Sequence, residues 1–236
     1  MRKPLIFTAG RYQTVRLAEL LFNLQTVEGM VDKLEQLRLG NVEATYAELE
    51  MGTFLARRGL PFRFVSPSGT KHLDYDVEIR LSSECQVNCE MKCKVEETPV
   101  SEGAVLNPLK KARNQLPEGT SGLVFLKVPE AWTRQGQKSA QIVSGAISSF
   151  LRNTSRIVAV ILRWEEQVLV RDAALMLYKY RTIPNDRPSA TFPDSIRGLV
   201  SLLDGPPRVP LVTFAEIAEN ACSDKSCLQS YCDLHL

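Results

Sequence analysis

Leu17, Leu20, Leu21, Leu24, Val27, Met30, Val31, Leu34 and Leu37 recur at steps of three and four residues, which predicts helix over 13–39. Gly29 can split this run in two, and Gly40 supplies a stop. A second helical pattern runs from Glu43 to Arg58 and closes at Gly59, ahead of Pro61. The pattern then changes period. Residues 60–65 alternate as a strand does, and Pro67, Ser68 and Gly69 mark a turn. Strands are predicted over Leu73–Leu81 and Gln86–Val95, a helix over Glu102–Gln115, and a short buried strand over Leu123–Val128. Beyond these come a helix over Lys138–Leu151 and strands over Arg156–Trp164 and Gln167–Tyr180. The last fifty or so residues are rich in turns, with a short helix around Phe214–Asn220.

This order makes a mixed α/β chain with no clear linker, no repeat and no low-complexity tract. It reads as a single domain over 1–236: a helical extension at 1–40, a core at 41–130, and an added helix, strands and tail at 131–236. The extension packs as a cap on the domain or serves as the arm of a homodimer. Charged residues make up 24% of the chain and the net charge is only +2, so affinity for phosphate has to come from a local patch. No apolar run approaches the length of a membrane span, and the amino terminus lacks the features of a signal peptide. A soluble, cytoplasmic protein without membrane contact is expected.

Two of the predicted strands carry the chemistry. On Leu73–Ile79, Asp74, Asp76 and Glu78 share one face, with Tyr75, Val77 and Ile79 on the other. On Asn88–Lys94, Glu90, Lys92 and Lys94 lie together, with Cys89, Met91 and Cys93 behind them. The short link from Leu81 to Gln86 favours an antiparallel hairpin that sets the two charged faces side by side. Clustered carboxylates suit magnesium, which binds through one or two carboxylates, water and substrate phosphate. A lysine two residues past a glutamate points into the same space, where it can steady a water or the phosphate's developing charge. The plain alternative is the solvated face of an antiparallel sheet.

In its order of elements the stretch from Ala44 to Val128 resembles the PD-(D/E)xK nuclease superfamily, the restriction-endonuclease-like proteins. Glu48–Gly59, with Leu55 seven positions after Glu48 and a closing glycine, looks like that family's first helix. Leu73–Ile79 looks like its aspartate strand, Cys89–Cys93 like its ExK strand, and Ala112–Leu116 like the end of the helix that follows. The resemblance implies a mixed-sheet α-β-β-β-α-β core and a Mg (or Mn)-dependent endonuclease acting on DNA. It implies that Asp76 and Glu90 hold the metal, that Lys92 serves the attacking water, and that Glu48 reaches the metal from its helix. Asp74 and Gln115 would be supporting polar residues. Asp76 is preferred over Asp74 because relatives often carry an acid two positions before the essential aspartate. Glu48 is preferred over Glu50 by its spacing to Leu55 and Gly59. Leu73, not proline, precedes Asp74. A catalytically silent nucleic-acid- or protein-binding module on the same fold is the alternative.

Lys94, Lys110, Lys111 and Arg113 are candidate phosphate contacts or a solvated face. His72 is expected in a loop, and Trp132 and Trp164 in packing. Cys85, Cys89 and Cys93 are expected as buried thiols. Cys222, Cys227, Cys232 and His235 are the right atoms for zinc without paired CxxC spacing, so reduced surface thiols on a frayed terminus are the favoured reading.

Overall fold

Six strands form one mixed sheet in the order in which they occur along the chain. These are β1 (Phe62–Phe64), β2 (Val77–Arg80), β3 (Gln86–Cys93), β4 (Ser121–Lys127), β5 (Ile157–Val170) and β6 (Ala173–Pro184). The computed structural model describes residues 9–67, 69–70, 74–95, 97–134, 137–170, 173–186, 194–213 and 216. The alternating segments β1, β2 and β3 pair antiparallel, and the link predicted to be a hairpin is one, with Arg80 opposite Gln86. Strand β4 is parallel to β3 and β5 is parallel to β4, while β6 returns antiparallel along β5 from Ala159 to Val170. A parallel step needs a crossover. Helix α4 (Glu102–Gln115) supplies the first, its start capped by the Ser101 hydroxyl accepting from the Ala104 amide at 3.1 Å. Helices α5 (Glu130–Arg134) and α6 (Gln137–Arg152) supply the second.

Helices cover both faces of the sheet. On one face α1 (Ala9–Leu24), α2 (Met30–Arg38), α3 (Val42–Arg57) and α7 (Asp194–Asp204) pack around Leu20, Leu24, Met30, Leu49, Phe54, Ile79, Cys89, Phe125 and Ile161. On the other, α4 and α6 close over Leu109, Val124, Val160 and Trp132. The extension is thus one layer of the same core, as a packed cap would be. Its stripe is narrower than predicted, because Val31 and Leu34 of α2 point outward while Met30 and Lys33 point in. Gly29 fixes this orientation. Its φ is 83°, and a Cβ there would lie 2.3 Å from the Phe64 carbonyl oxygen, so only glycine lets α2 turn against β1.

Several boundaries move. Strand β2 begins at Val77, so Asp74 and Asp76 precede it; Leu73 and His72 lie outside the described residues. The segments predicted as 156–164 and 167–180 are instead the longer strands Ile157–Val170 and Ala173–Pro184, paired antiparallel, because β5 continues past its pairing with β4 on β6 alone. Helix α7 occupies a stretch predicted to be turns, its Ile196, Leu199 and Leu203 buried. Of the predicted thiols Cys89 alone is fully buried; Cys85 is half-buried and Cys93 is exposed at the end of β3. The expected terminal helix, apart from Glu216, and Cys222, Cys227, Cys232 and His235 lie outside the described residues. Among the described residues no helix is long and apolar enough to cross a membrane.

Candidate functional site

Strands β2 and β3 share a backbone ladder, and the side chain of Asp76 extends it. Its Oδ2 accepts the Met91 amide at 2.6 Å, while its own amide donates to the Cys89 carbonyl at 3.0 Å. Asp76 is thereby pinned beside Glu90, the residue between those two on β3. Glu90 is 1% exposed, and Lys92, two residues along on the same face, bonds its Oε1. The other oxygen, Glu90 Oε2, is buried and has no protein donor. An unsatisfied buried carboxylate oxygen costs on the order of 1–3 kcal/mol or more, so it marks a place suited to a cation or a proton.

Charge reinforces this reading. Burial, then the negative charge of Glu48, pushes the Asp76 carboxyl well above the usual carboxylate range, although the Met91 amide, Lys92 and Lys33 oppose the shift. Burial, then Asp76, does the same to Glu90 against the pull of Lys92. Glu48 on α3 therefore acts on both strand carboxylates, and its own partner is Lys33 of α2. Lys33 is 2% exposed and lies 5.8 Å from the Phe64 ring centroid. A cleft of about 200 Å³ opens here, with Lys33, Thr45, Glu48, Asp74, Tyr75 and Asp76 in its walls.

The structure thus brings Glu48, Asp74, Asp76, Glu90 and Lys92 to one region, and adds Lys33, which the sequence reading missed. A lysine in an otherwise apolar stripe facing the core was the available signal. Glu50 goes elsewhere. It is buried against Arg163 of β5, and Arg163 Nη1 also meets Glu165 at 2.9 Å. Glu78 was expected on the same charged face as Asp76. It is nevertheless buried, accepting from Arg63 at 2.9 and 3.0 Å, from Arg80 at 3.0 Å and from the Tyr75 hydroxyl at 3.2 Å. Those donors, Arg63 first, hold its carboxyl down at about 2.

Gln115 and Arg113 end α4 beside the start of β4, and Ser121 there pairs with Val87 at the start of β3. Glu90 stands three residues further along β3, roughly 10 Å at the usual strand rise. The Arg113 guanidinium lies 5.9 Å from the Phe150 ring and donates to the Asn153 carbonyl at 3.4 Å, so it serves helix packing. Lys110 and Lys111 are exposed on α4, and Lys94 is half-buried just past β3.

Asp76 and Glu90 fit a divalent cation as two oxygen donors, one of them with an orphaned lone pair, and Glu48 adds negative field. Among the described residues no group of three or more His, Cys, Asp or Glu side chains forms a ready metal-ligand set. Glu48 is engaged by Lys33 and one oxygen of Glu90 by Lys92. Comparison of the chain with protein-family models, with curated proteins and with solved structures finds no match.

Proposed function

We propose that the protein is a magnesium-dependent nuclease of the PD-(D/E)xK type that hydrolyses phosphodiester bonds in DNA. The observation that carries this reading is the pair of carboxylates on adjacent strands, Asp76 and Glu90, with an unpartnered buried oxygen on Glu90 and the Lys92 ammonium on the same residue. The helix, antiparallel three-strand meander, crossover helix and parallel strand of α3–β1–β2–β3–α4–β4 supply the order of elements that the resemblance implies.

A divalent cation held by Asp76 and Glu90 would supply Lewis acidity toward the scissile phosphoryl group. The chain's own residues do the rest. Asp76 is fixed by the Met91 amide, so it presents a carboxylate without reorganising. Lys92, one-fifth exposed, can swing from Glu90 to a water or a non-bridging phosphoryl oxygen and offset the charge that develops there. In hydrolysis the water oxygen bonds to phosphorus, the P–O bond to the leaving group breaks, and the leaving oxygen takes up a proton. Lys110 and Lys111 are exposed and free to meet the strand's phosphates.

The test is cleavage of supercoiled plasmid, linear duplex and single-stranded DNA in EDTA, Mg²⁺ and Mn²⁺, by wild type, Glu90→Ala and Lys92→Ala. Metal-dependent cleavage that both substitutions abolish is the expected result. Cleavage that survives both overturns the assignment. Absence of cleavage together with absence of Mn²⁺ binding would leave a binding module on this fold as the better reading.

A further inference from the structure

Helix α2 has two faces, and only one of them meets the rest of the described structure. Its inner face turns Lys33 toward the cleft, while its outer face carries Val31 and Leu34, 77% and 46% exposed. With Met30, and with Ala18, Leu21 and the 43%-exposed Phe22 of α1, they line an apolar groove of about 430 Å³ between the two helices. Single apolar residues scattered over a surface are ordinary. Gathered in one groove they offer water-exposed area that a partner can cover, at about 25 cal/mol for each Å². A groove of this kind between two helices is filled by the apolar face of a third.

The chain itself brings a helix start to this place. After α7 it passes the end of α3, where the Arg57 carbonyl accepts from the Arg208 and Val209 amides at 2.7 and 2.9 Å. It then reaches the end of α1. There Asn23 holds Val212 at both backbone groups, donating to its carbonyl at 2.8 Å and accepting from its amide at 2.9 Å. Asn23 stands next to Phe22 and two residues before Gln25, which also lines the groove. Glu216 is helical, and the bonds around it are those of a helix start. The Thr213 hydroxyl accepts from the Glu216 amide at 3.3 Å, and the Glu216 carboxylate accepts from the Thr213 amide at 2.7 Å, which makes a reciprocal capping box. In the sequence, Phe214, Ile217, Ala218 and Ala221 then follow the i, i+3, i+4, i+7 spacing of an apolar helical stripe. Glu216, Glu219, Asn220 and Ser223 fall on the opposite side of the same wheel.

We propose that residues 214–222 continue as the third helix of this layer and seat Phe214, Ile217 and Ala221 in the groove between α1 and α2. The Asn23 anchor holds the segment beside the groove, so closing onto it orders a short loop only, and the capping box offsets part of the cost of starting a helix. The helix so covered is the one that carries Lys33 and Gln36 into the cleft wall, and the tail braces that wall from behind. The inference stands on the groove and the anchor and does not depend on the nuclease reading.

The test uses the full chain with the photo-reactive amino acid p-benzoylphenylalanine in place of Val31, an outward residue whose replacement leaves the core intact. Irradiation is expected to cross-link it within one chain, to a peptide inside 214–222. A cross-link between two chains, with a dimer by light scattering, assigns the groove to a second copy and overturns the proposal. A cross-link to any other part of the chain, or none at all, overturns it too. Hydrogen exchange on the wild type, Val31→Glu and Ile217→Glu gives an independent reading. Amides of 217–222 are expected to be protected in the wild type and to lose that protection in both variants, while β3 and β4 keep theirs. Ile217→Glu should also raise the fluorescence of an apolar dye at the uncovered groove. Tail amides that exchange at one rate in all three proteins overturn the proposal.

Discussion

Two buried charged clusters hang from one helix, and they are built on opposite principles. Glu50 and Glu48 lie two residues apart on α3 and point to different places. Glu50 enters a network in which Arg163, at 1% exposure, takes both Glu50 and Glu165, and Lys127 meets Glu165 at 3.1 Å. Two acids meet two bases there, and the Tyr178 ring stacks 5.0 Å from the Arg163 guanidinium. Glu48 enters a cluster with an excess of acid and an opening to solvent, while an orphaned carboxylate oxygen is common to both, on Glu50 in one and on Glu90 in the other. A balanced cluster holds layers together, and an unbalanced one that reaches a cleft is equipped to take a ligand. Both are buried, so burial alone does not tell a structural charge from a functional one. The balance of charge and the access of solvent do.

The largest expected effect that separates the two clusters is on activity. Lys92→Ala should lower metal-dependent cleavage by roughly 10²–10³-fold, the usual effect of losing one electrostatic stabiliser, with a smaller loss of melting temperature than a fully buried ion pair would cost, because Lys92 is one-fifth exposed. Comparable cleavage by this variant and the wild type in a plasmid assay would place the chemistry elsewhere.

Arg163→Met should do the reverse. It leaves Glu50 buried without its partner, at a cost of about 3–5 kcal/mol. For a chain of this size that lowers the melting temperature by roughly 6–20 °C. Specific activity per folded molecule should hold at low temperature, and a thermal melt with a parallel cleavage assay checks both halves. Equal melting temperatures for variant and wild type would make the Glu50 cluster dispensable.

The third difference is in pH. Asp76 and Glu90 titrate higher in the folded chain than when unfolded, because burial and their neighbours' negative charge disfavour the ionised forms. A raised carboxyl pKa favours the folded state at low pH. The metal-free protein should therefore lose stability as pH climbs from the ordinary carboxylate range through neutrality. Mn²⁺ should restore that loss, and Glu90→Gln should flatten it. Urea midpoints at a series of pH values, with and without metal, give the answer; a metal-free midpoint that rises over this range would contradict it.

The smallest effect belongs to Glu78. Its carboxyl is held at about 2, so its contribution is present at neutral pH and fades as pH falls from the ordinary carboxylate range toward that value. Its partners Arg63 and Arg80 are partly open to solvent, which discounts the pairing to about 1 kcal/mol or less. Glu78→Gln should lower the urea midpoint slightly at pH 7 and leave it unchanged near pH 2.

The acidic residues of the strand pair show where sequence reasoning works and where it stops. Alternation along Val77–Ile79 and Asn88–Lys92 assigns each residue a face, because a strand's side chains alternate by covalent geometry. A short link makes the hairpin, because nothing else fits four or five residues. The same alternation grouped Glu78 with Asp76 on one charged face. It could not register that Arg63, from a strand fifteen residues earlier, would close over Glu78. Gln115 was assigned by resemblance to a helix end, and that end of α4 stands at the start of β3 and not beside Glu90.

By itself, then, the sequence determined the periods of most segments, α7 apart, together with the hairpin, the helix ahead of a short buried strand, and the placing of Glu90 with Lys92 on one face. Those depend on neighbours along the chain. Only the tertiary structure decided that Lys33 turns inward, that Glu48 meets the cleft while Glu50 meets Arg163, and that one oxygen of Glu90 is left without a donor. Each of those outcomes is set by how one layer packs on another, through contacts between residues as far apart as 50 and 163, and no local pattern encodes which face of a helix a distant strand will meet.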